Sequence, residues 1–183
     1  MERLSDEELA GRAGSGDWKA FDRLVRRYWR RICGYAFTLL RSWEDAEDAA
    51  QETFLKAFRG RMQFEDGKPF APWLYRIATN ACIDRKRSRK REDASIGDVE
   101  VADPGETPAE LYERQDVRMR VREALFSLPR SYAEVVYLRY GEGMSYREIG
   151  MTLDISEGAV ETRLFRGKRM IREQLRRTLK WES

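Results

Sequence analysis

The chain of 183 residues contains no histidine and only two cysteines. Without histidine there can be no Ser-His-Asp triad, no Cys-His pair and no histidine metal ligand. Cys33 and Cys82 stand too far apart for a CxxC zinc knuckle, and each reads as a small buried hydrophobe rather than a redox thiol. Neither the GxxxxGKS/T nor the GxGxxG phosphate-binding string occurs. Long apolar runs are missing as well. The longest uncharged stretch, Ile32 to Leu40, is nine residues, under half of the ~20 that a membrane helix requires. The acidic start, Met1 to Glu8, lacks the basic-then-apolar pattern of a signal peptide, so a cytoplasmic location without membrane insertion is expected. What chemistry is left would rest on carboxylates, lysines and hydroxyls, which makes an enzyme the weaker reading.

Charge, by contrast, is abundant and unevenly placed. The overall +3 conceals a basic segment at 1–91 (net +6), an acidic one at 92–116 (net −8) and a second basic one at 117–183 (net +5). The acidic segment also holds Gly97, Pro104, Gly105 and Pro108 and shows no helical period over 95–107, so it reads as a linker between two domains. Fully extended, it would reach on the order of 80 Å.

Elsewhere the pattern is helical. Trp18, Phe21, Leu24, Val25, Tyr28, Ile32, Ala36 and Leu39 repeat at i, i+3, i+4, i+7. Ser42 and Asp45 suggest the start of a helix reaching Phe58, and Pro72 suits the first turn of another containing Trp73, Ile77, Ala81 and Cys82. Further helices are expected near 110–126, 131–140, 146–152 and 157–179. No segment alternates with period two. The expected fold is all-α, with two small helical domains joined by the linker.

Ser145 and Glu148 form a capping box before a short helix; Gly150 is small enough for close contact, Asp154 tolerates a left-handed turn, and Ser156 caps a second helix. The second helix buries Val160, Leu164 and Met170 and carries eight bases against one acid over 163–180. This is a helix-turn-helix with a phosphate-seeking face. The candidate duplex-reading set is Arg139, Ser156, Glu157, Gly158, Ala159, Glu161, Thr162, Phe165, Arg166 and Lys168. Arg166 suits guanine, Glu161 could accept from a cytosine amino group, and Ala159 could touch a thymine methyl.

In the N-terminal half, six aromatics between Phe54 and Tyr75 precede six bases in the seven residues Arg85 to Arg91. Trp73, Arg76, Asn80, Asp84 and Arg87 share one helical stripe. Aromatic faces beside a cationic track suit a single strand, whose bases stack while its phosphates pair, and Asn80 could read the edge of an unstacked base. Phe54, Phe58 and Ile77 read as core. The candidates for strand binding are Phe64, Lys68, Trp73, Arg76, Asn80, Arg85, Lys86 and Arg87. Asp45, Asp48 and Glu52, spaced i, i+3, i+7, suggest a continuous acidic face that seeks a basic protein surface. A carboxylate metal site there would lack any second acidic cluster.

The blocks DAEDAAQETFLKAF (45–58), PFAPWLYRIATNACIDRKR (69–87) and LPRSYAEVVYLRYGEGMSYREIGMTLDISEGAVETRLFRGKRMIREQL (128–175) resemble the bacterial sigma factors of the extracytoplasmic-function type. The resemblance implies an RNA polymerase subunit with no enzymatic activity, no catalytic residue, no metal and no cofactor. It implies that Asp45, Asp48, Gln51, Glu52 and Phe54 meet the clamp helices of the polymerase largest subunit. Gly60 to Arg91 would open and hold the minus-ten element, the helix-turn-helix would read the minus-35 element, and the linker would traverse the polymerase cleft. Its implied partners are core RNA polymerase through its largest and second-largest subunits, promoter DNA and an anti-sigma protein. Ala159 and Glu161 stand where relatives often carry Thr and Lys or Arg, so promoter sequence is not transferable from them.

Overall fold

Side-chain caps decide where the helices begin. The computed structural model describes residues 4–64, 67–93 and 123–179. Helix α1 (Asp6–Gly14) starts at Ser5, whose Oγ accepts from the Glu8 N–H at 3.1 Å while the Glu8 carboxylate accepts from the Ser5 N–H at 2.6 Å. This reciprocal capping box opens a helix that the apolar pattern alone did not reveal. Helix α2 (Trp18–Leu40) is capped by Asp17, which accepts from the Ala20 N–H, and ends at Arg41 in the left-handed region, φ 63°. Helix α3 (Trp43–Gly60) is capped from one side only: Ser42 Oγ accepts from the Asp45 N–H, whereas the Asp45 carboxylate is engaged elsewhere. A 3-10 turn (Arg61–Gln63) follows, then α4 (Phe70–Asp93), with Pro72 in the first turn, where a backbone N–H has no helical partner to lose.

Of the acidic segment, everything after Asp93 lies outside the described residues, as does the expected helix near 110–126 except for a helical turn at 123–126. Helix α5 (Arg130–Val136) runs into a π turn (Tyr137–Gly141), followed by α6 (Tyr146–Leu153) and α7 (Glu157–Leu179). Among the described residues there is no strand, and the fold is all-α as expected.

In the N-terminal half, Leu9, Leu24, Tyr28, Ile32, Phe70 and Leu74 are fully buried among α1–α4. Each such side chain contributes roughly 1.5–3 kcal/mol through its lost apolar exposure. Trp18, expected in this stripe, instead stands exposed at the first turn of α2, and burial begins with Ala20 and Leu24. Phe58, read as core, is also substantially exposed. Both cysteines are buried, and burial pushes the Cys82 thiol up to about 12, far from reactive.

In the C-terminal half, Leu138, Ile149, Val160 and Leu164 form the centre. The Ser145–Glu148 box is present on both sides, and Asp154 adopts φ 56°. Gly150 is needed because a Cβ there would come within 2.7 Å of the Ile155 carbonyl oxygen, which sets how tightly α6 turns into α7. The two halves do not stand apart: α2 and α4 pack against α5, the π turn and α6, and the buried apolar residues form one continuous cluster.

Candidate nucleic-acid interface

The solvent face of α7 is the simpler of two candidate surfaces. Ser156 Oγ accepts from the Ala159 N–H at 3.2 Å, which fixes the first turn and leaves Glu157, Gly158, Glu161, Thr162, Phe165, Arg166 and Lys168 exposed. Ala159 is half-buried at the edge of a shallow groove of about 360 Å³ that Ser131, Tyr132, Thr162, Arg163 and Arg166 also line. Phe165, 64% exposed, presents an apolar ring amid the bases. Arg163 turns inward to Glu134 (3.3 Å), a buried carboxyl that desolvation pushes up although Arg130 and Arg163 oppose the shift. Arg139 is set apart from the helix face: it donates to the Met144 carbonyl at 2.7 Å and lies over the Tyr146 ring, so it holds the turn before α6.

The second surface is a cleft of about 650 Å³ between α3 and α4, lined by Lys56, Gly60, Trp73, Ile77, Asn80, Ile83, Asp84 and Arg87. It gathers four of the five residues on the expected stripe; Arg76 is exposed but lies outside the lining. Trp73 is held edge-on by Phe64 (5.3 Å) and tilted against Phe70 (5.7 Å), so its indole is braced from behind. Lys56 spans the cleft to Asp84 at 3.3 Å. Asn80, Lys86 and Arg87 are exposed, as is Lys68 on the loop before α4.

The acidic face differs from the expectation. Asp45 is 6% exposed, with one oxygen accepting from Arg85 Nε (2.7 Å) and the other from Arg89 (2.5 Å). Desolvation raises its pKa, but the two guanidinium groups outweigh this and hold it below the ordinary carboxylate value. Arg85 also reaches Asp48 at 2.9 Å, and Glu52 pairs with Lys56 at 3.6 Å. The i, i+3, i+7 acids therefore neutralise bases of the same half, and Arg85 is shared between the two expected roles. Phe54 is 7% exposed and stacks on Trp29, so it is a core residue rather than a docking contact.

The face that α3 does offer to solvent lies about a quarter-turn away. Glu44, Glu47, Gln51, Leu55 and Phe58 are all exposed and fall within about 80° of one another at 100° per residue. Leu55, 51% exposed, was missed; its signal was an apolar residue off the buried stripe of Ala46, Ala50, Thr53 and Ala57.

These surfaces sit on two segments that match known families: residues 24–92 match Sigma-70 region 2 and residues 118–171 match Sigma-70 region 4. The chain belongs to the extracytoplasmic-function (ECF) sigma factors of bacterial RNA polymerase. It is 36% identical to the ECF RNA polymerase sigma factor SigW of Bacillus subtilis, over 88% of this chain and 91% of that one. It is 33% identical to the ECF sigma-E factor of Haemophilus influenzae over 95% and 97% of the two chains. Among solved structures it is similar to the sigma factor RpoE of Bartonella quintana, determined with the anti-sigma factor NepR (TM-score 0.73, 25% identity, 86% of this chain and 98% of that one). It is also similar to CnrH, determined with the cytosolic domain of CnrY (TM-score 0.69, 27% identity, 93% and 96%). Among the described residues no helix is long and apolar enough to cross a membrane.

Proposed function

We propose that this chain binds core RNA polymerase in the cytoplasm and directs initiation at a promoter by reading two elements in two physical states. The observation that carries this reading is the pairing, in one sigma-factor chain, of a braced aromatic cleft with a bare basic helix. A cleft with an edge-braced Trp73 and the exposed amide of Asn80 suits a base swung out of an opened minus-ten strand. Helix α7, with Arg166, Glu161 and Thr162 on one exposed face, suits the major groove of a minus-35 duplex. Phosphate contacts come from Lys86, Arg87, Lys168 and the bases beyond. The exposed stripe Glu44–Glu47–Gln51–Leu55–Phe58, acidic at one end and apolar at the other, is assigned to the polymerase clamp. The chain acts by binding and carries no reaction of its own.

An anti-sigma protein is assigned as a further partner, on the strength of the two similar sigma factors that were solved with proteins bound. The reading is tested by permanganate footprinting of promoter DNA with core polymerase, this protein, or both. Unpaired thymines near minus-ten are expected only when both are present. Sequence-specific duplex protection by the free protein, with no opening when polymerase is added, would favour a stand-alone regulator instead.

A further inference from the structure

Trp73, the wall of the cleft, rests on three supports. Its indole meets Phe64 edge-on at 5.3 Å and lies tilted against Phe70 at 5.7 Å, while a Cβ at Gly60 would come within 3.7 Å of its six-membered ring. Phe64 in turn stands edge-on to Phe70 at 5.8 Å. Phe70 is the first residue of α4, so whatever fixes that terminus also fixes the wall.

The sequence at this terminus cannot cap itself. The residue before Phe70 is Pro69, whose side chain has no acceptor, and Pro72 removes the N–H at the third helical position, where a capping serine or aspartate would bind. No acid stands in the first turn of α4, although the helix runs 24 residues and presents a positive dipole end. Lys68, two residues earlier, adds further positive charge.

The missing acceptor comes from 63 positions earlier in the chain: Glu7 Oε1, on the first turn of α1, accepts from the Phe70 N–H at 3.2 Å. The other acids of that turn are engaged elsewhere. Glu8 closes the box with Ser5, while Asp6 pairs with Arg27 and accepts from Tyr28 Oη at 2.5 Å. Tyr28 itself meets Phe70 edge-on at 5.5 Å. The far end of α1 reaches the opposite margin of the connection between α3 and α4. A Cβ at Gly14 would come within 3.2 Å of the Arg61 carbonyl oxygen, next to Gly60. One nine-residue helix therefore touches both margins of this connection, and each margin supports Trp73. Helix α1 lies N-terminal to the segment 24–92 that matches Sigma-70 region 2.

We propose that Glu7 is a positioning residue for capture of the minus-ten strand: its carboxylate caps α4 across space, and α1 thereby holds Trp73 in the orientation that an unstacked base meets. This role rests on the promoter reading above. A wall ordered before the strand arrives spares that ordering at the moment of binding, so loss of the cap should reduce opening without altering any residue that meets DNA. Glu7 is exposed, so its replacement leaves no cavity, and Asp6 still ties α1 to α2.

The test uses the full chain. Amide exchange without polymerase reports on the first turns of α4, and permanganate reactivity with core polymerase and saturating protein reports on opening. Glu7→Ala should speed exchange over 70–76 by about 3–10-fold and lower opening by a similar factor, the range expected for a lost cap. Exchange across α2 and affinity for core polymerase should stay the same. Glu7→Gln keeps an acceptor oxygen and should remain within about twofold of the unaltered chain in both measurements. Unchanged exchange over 70–76 in Glu7→Ala would overturn the cap, as would Glu7→Gln behaving like Glu7→Ala. Faster exchange with unchanged opening would overturn the positioning role. So would an equal loss of polymerase affinity, which marks a general loosening of the N-terminal half. Absence of opening by the unaltered protein would count against the promoter reading, while exchange, which needs no polymerase, judges the cap on its own.

Discussion

The cleft between α3 and α4 and the exposed face of α7 are both rich in charge, yet they handle it in opposite ways. Around the cleft, several bases are matched at home, Lys56 with Asp84 and Glu52, Arg85 with Asp45 and Asp48, Arg89 with Asp45, while Arg87 on its lining is exposed. On α7, Arg169 is paired with Glu173 at 3.7 Å and Arg163 is turned inward, while Arg166 and Lys168 stand in solvent. On the proposed reading, the difference sets what each surface asks of DNA. A cleft with an aromatic wall and partly matched charge gains from stacking and shape, which duplex DNA cannot offer until a base leaves the helix. A bare basic face gains from counterion release, which any duplex offers, with specificity added by base edges.

The largest effect should come from removing the wall of the cleft. Trp73→Ala combined with Asn80→Ala should lower promoter opening by roughly 10²-fold, because a stacked base is worth about 1–3 kcal/mol and its edge contact adds to this. Binding of the minus-35 duplex should be unaffected, and permanganate reactivity separates the two. Next, Arg166→Ala should cost about 1–3 kcal/mol in minus-35 affinity and relax the preference at one base pair. Competition against a set of single-base variants would show it. A change spread equally over all sequences would make Arg166 a phosphate contact instead. Arg172→Ala, which removes an exposed base further along α7 that the proposed reading sets against phosphate, should weaken all sequences alike by a few-fold and lower the salt slope by about 1.

A stability measurement sharpens the comparison from the other side. The Asp45 pKa is depressed in the folded chain, so its ion pairs stabilise fully above the unfolded carboxylate value of ~3.9 and the benefit is lost as pH falls through the folded value. Asp45→Asn should therefore cost stability at neutral pH and flatten the acid limb of a denaturation series. The cost should be about 1–2 kcal/mol, because Arg85 and Arg89 remain more than a third exposed and are partly screened by solvent. An acid limb as steep as that of the unaltered chain would contradict the pairing.

Much of the architecture is legible in the residues. The Ser145–Glu148 box, the left-handed Asp154 and the inward Val160 and Leu164 each follow from local rules, and the helix-turn-helix is assembled from them. Ser5 and Glu8 carry the same capping signal, and it marks the start of α1. Spacing, however, reports which residues share a helix face and not what lies over that face. The acids at 45, 48 and 52 do align, but arginines some 40 positions later on α4 pair with two of them and bury Asp45. Phe54 and Phe58 differ by one turn, yet only the first meets Trp29 within the bundle. Gly34, a glycine inside an otherwise strong helix, lies against Tyr137, 103 positions later (34 to 137): a Cβ there would come within 2.9 Å of the tyrosine hydroxyl.

The central claim is that this chain confers promoter choice on polymerase. Run-off transcription from a randomised promoter library, with purified core polymerase in the presence and absence of the protein, tests it most directly. The account predicts transcripts only when the protein is present, with sequences enriched in two blocks about 25 base pairs apart and altered in the downstream block by Asn80→Ala. No stimulation by folded, inhibitor-free protein, or enrichment confined to a single duplex block, would contradict it.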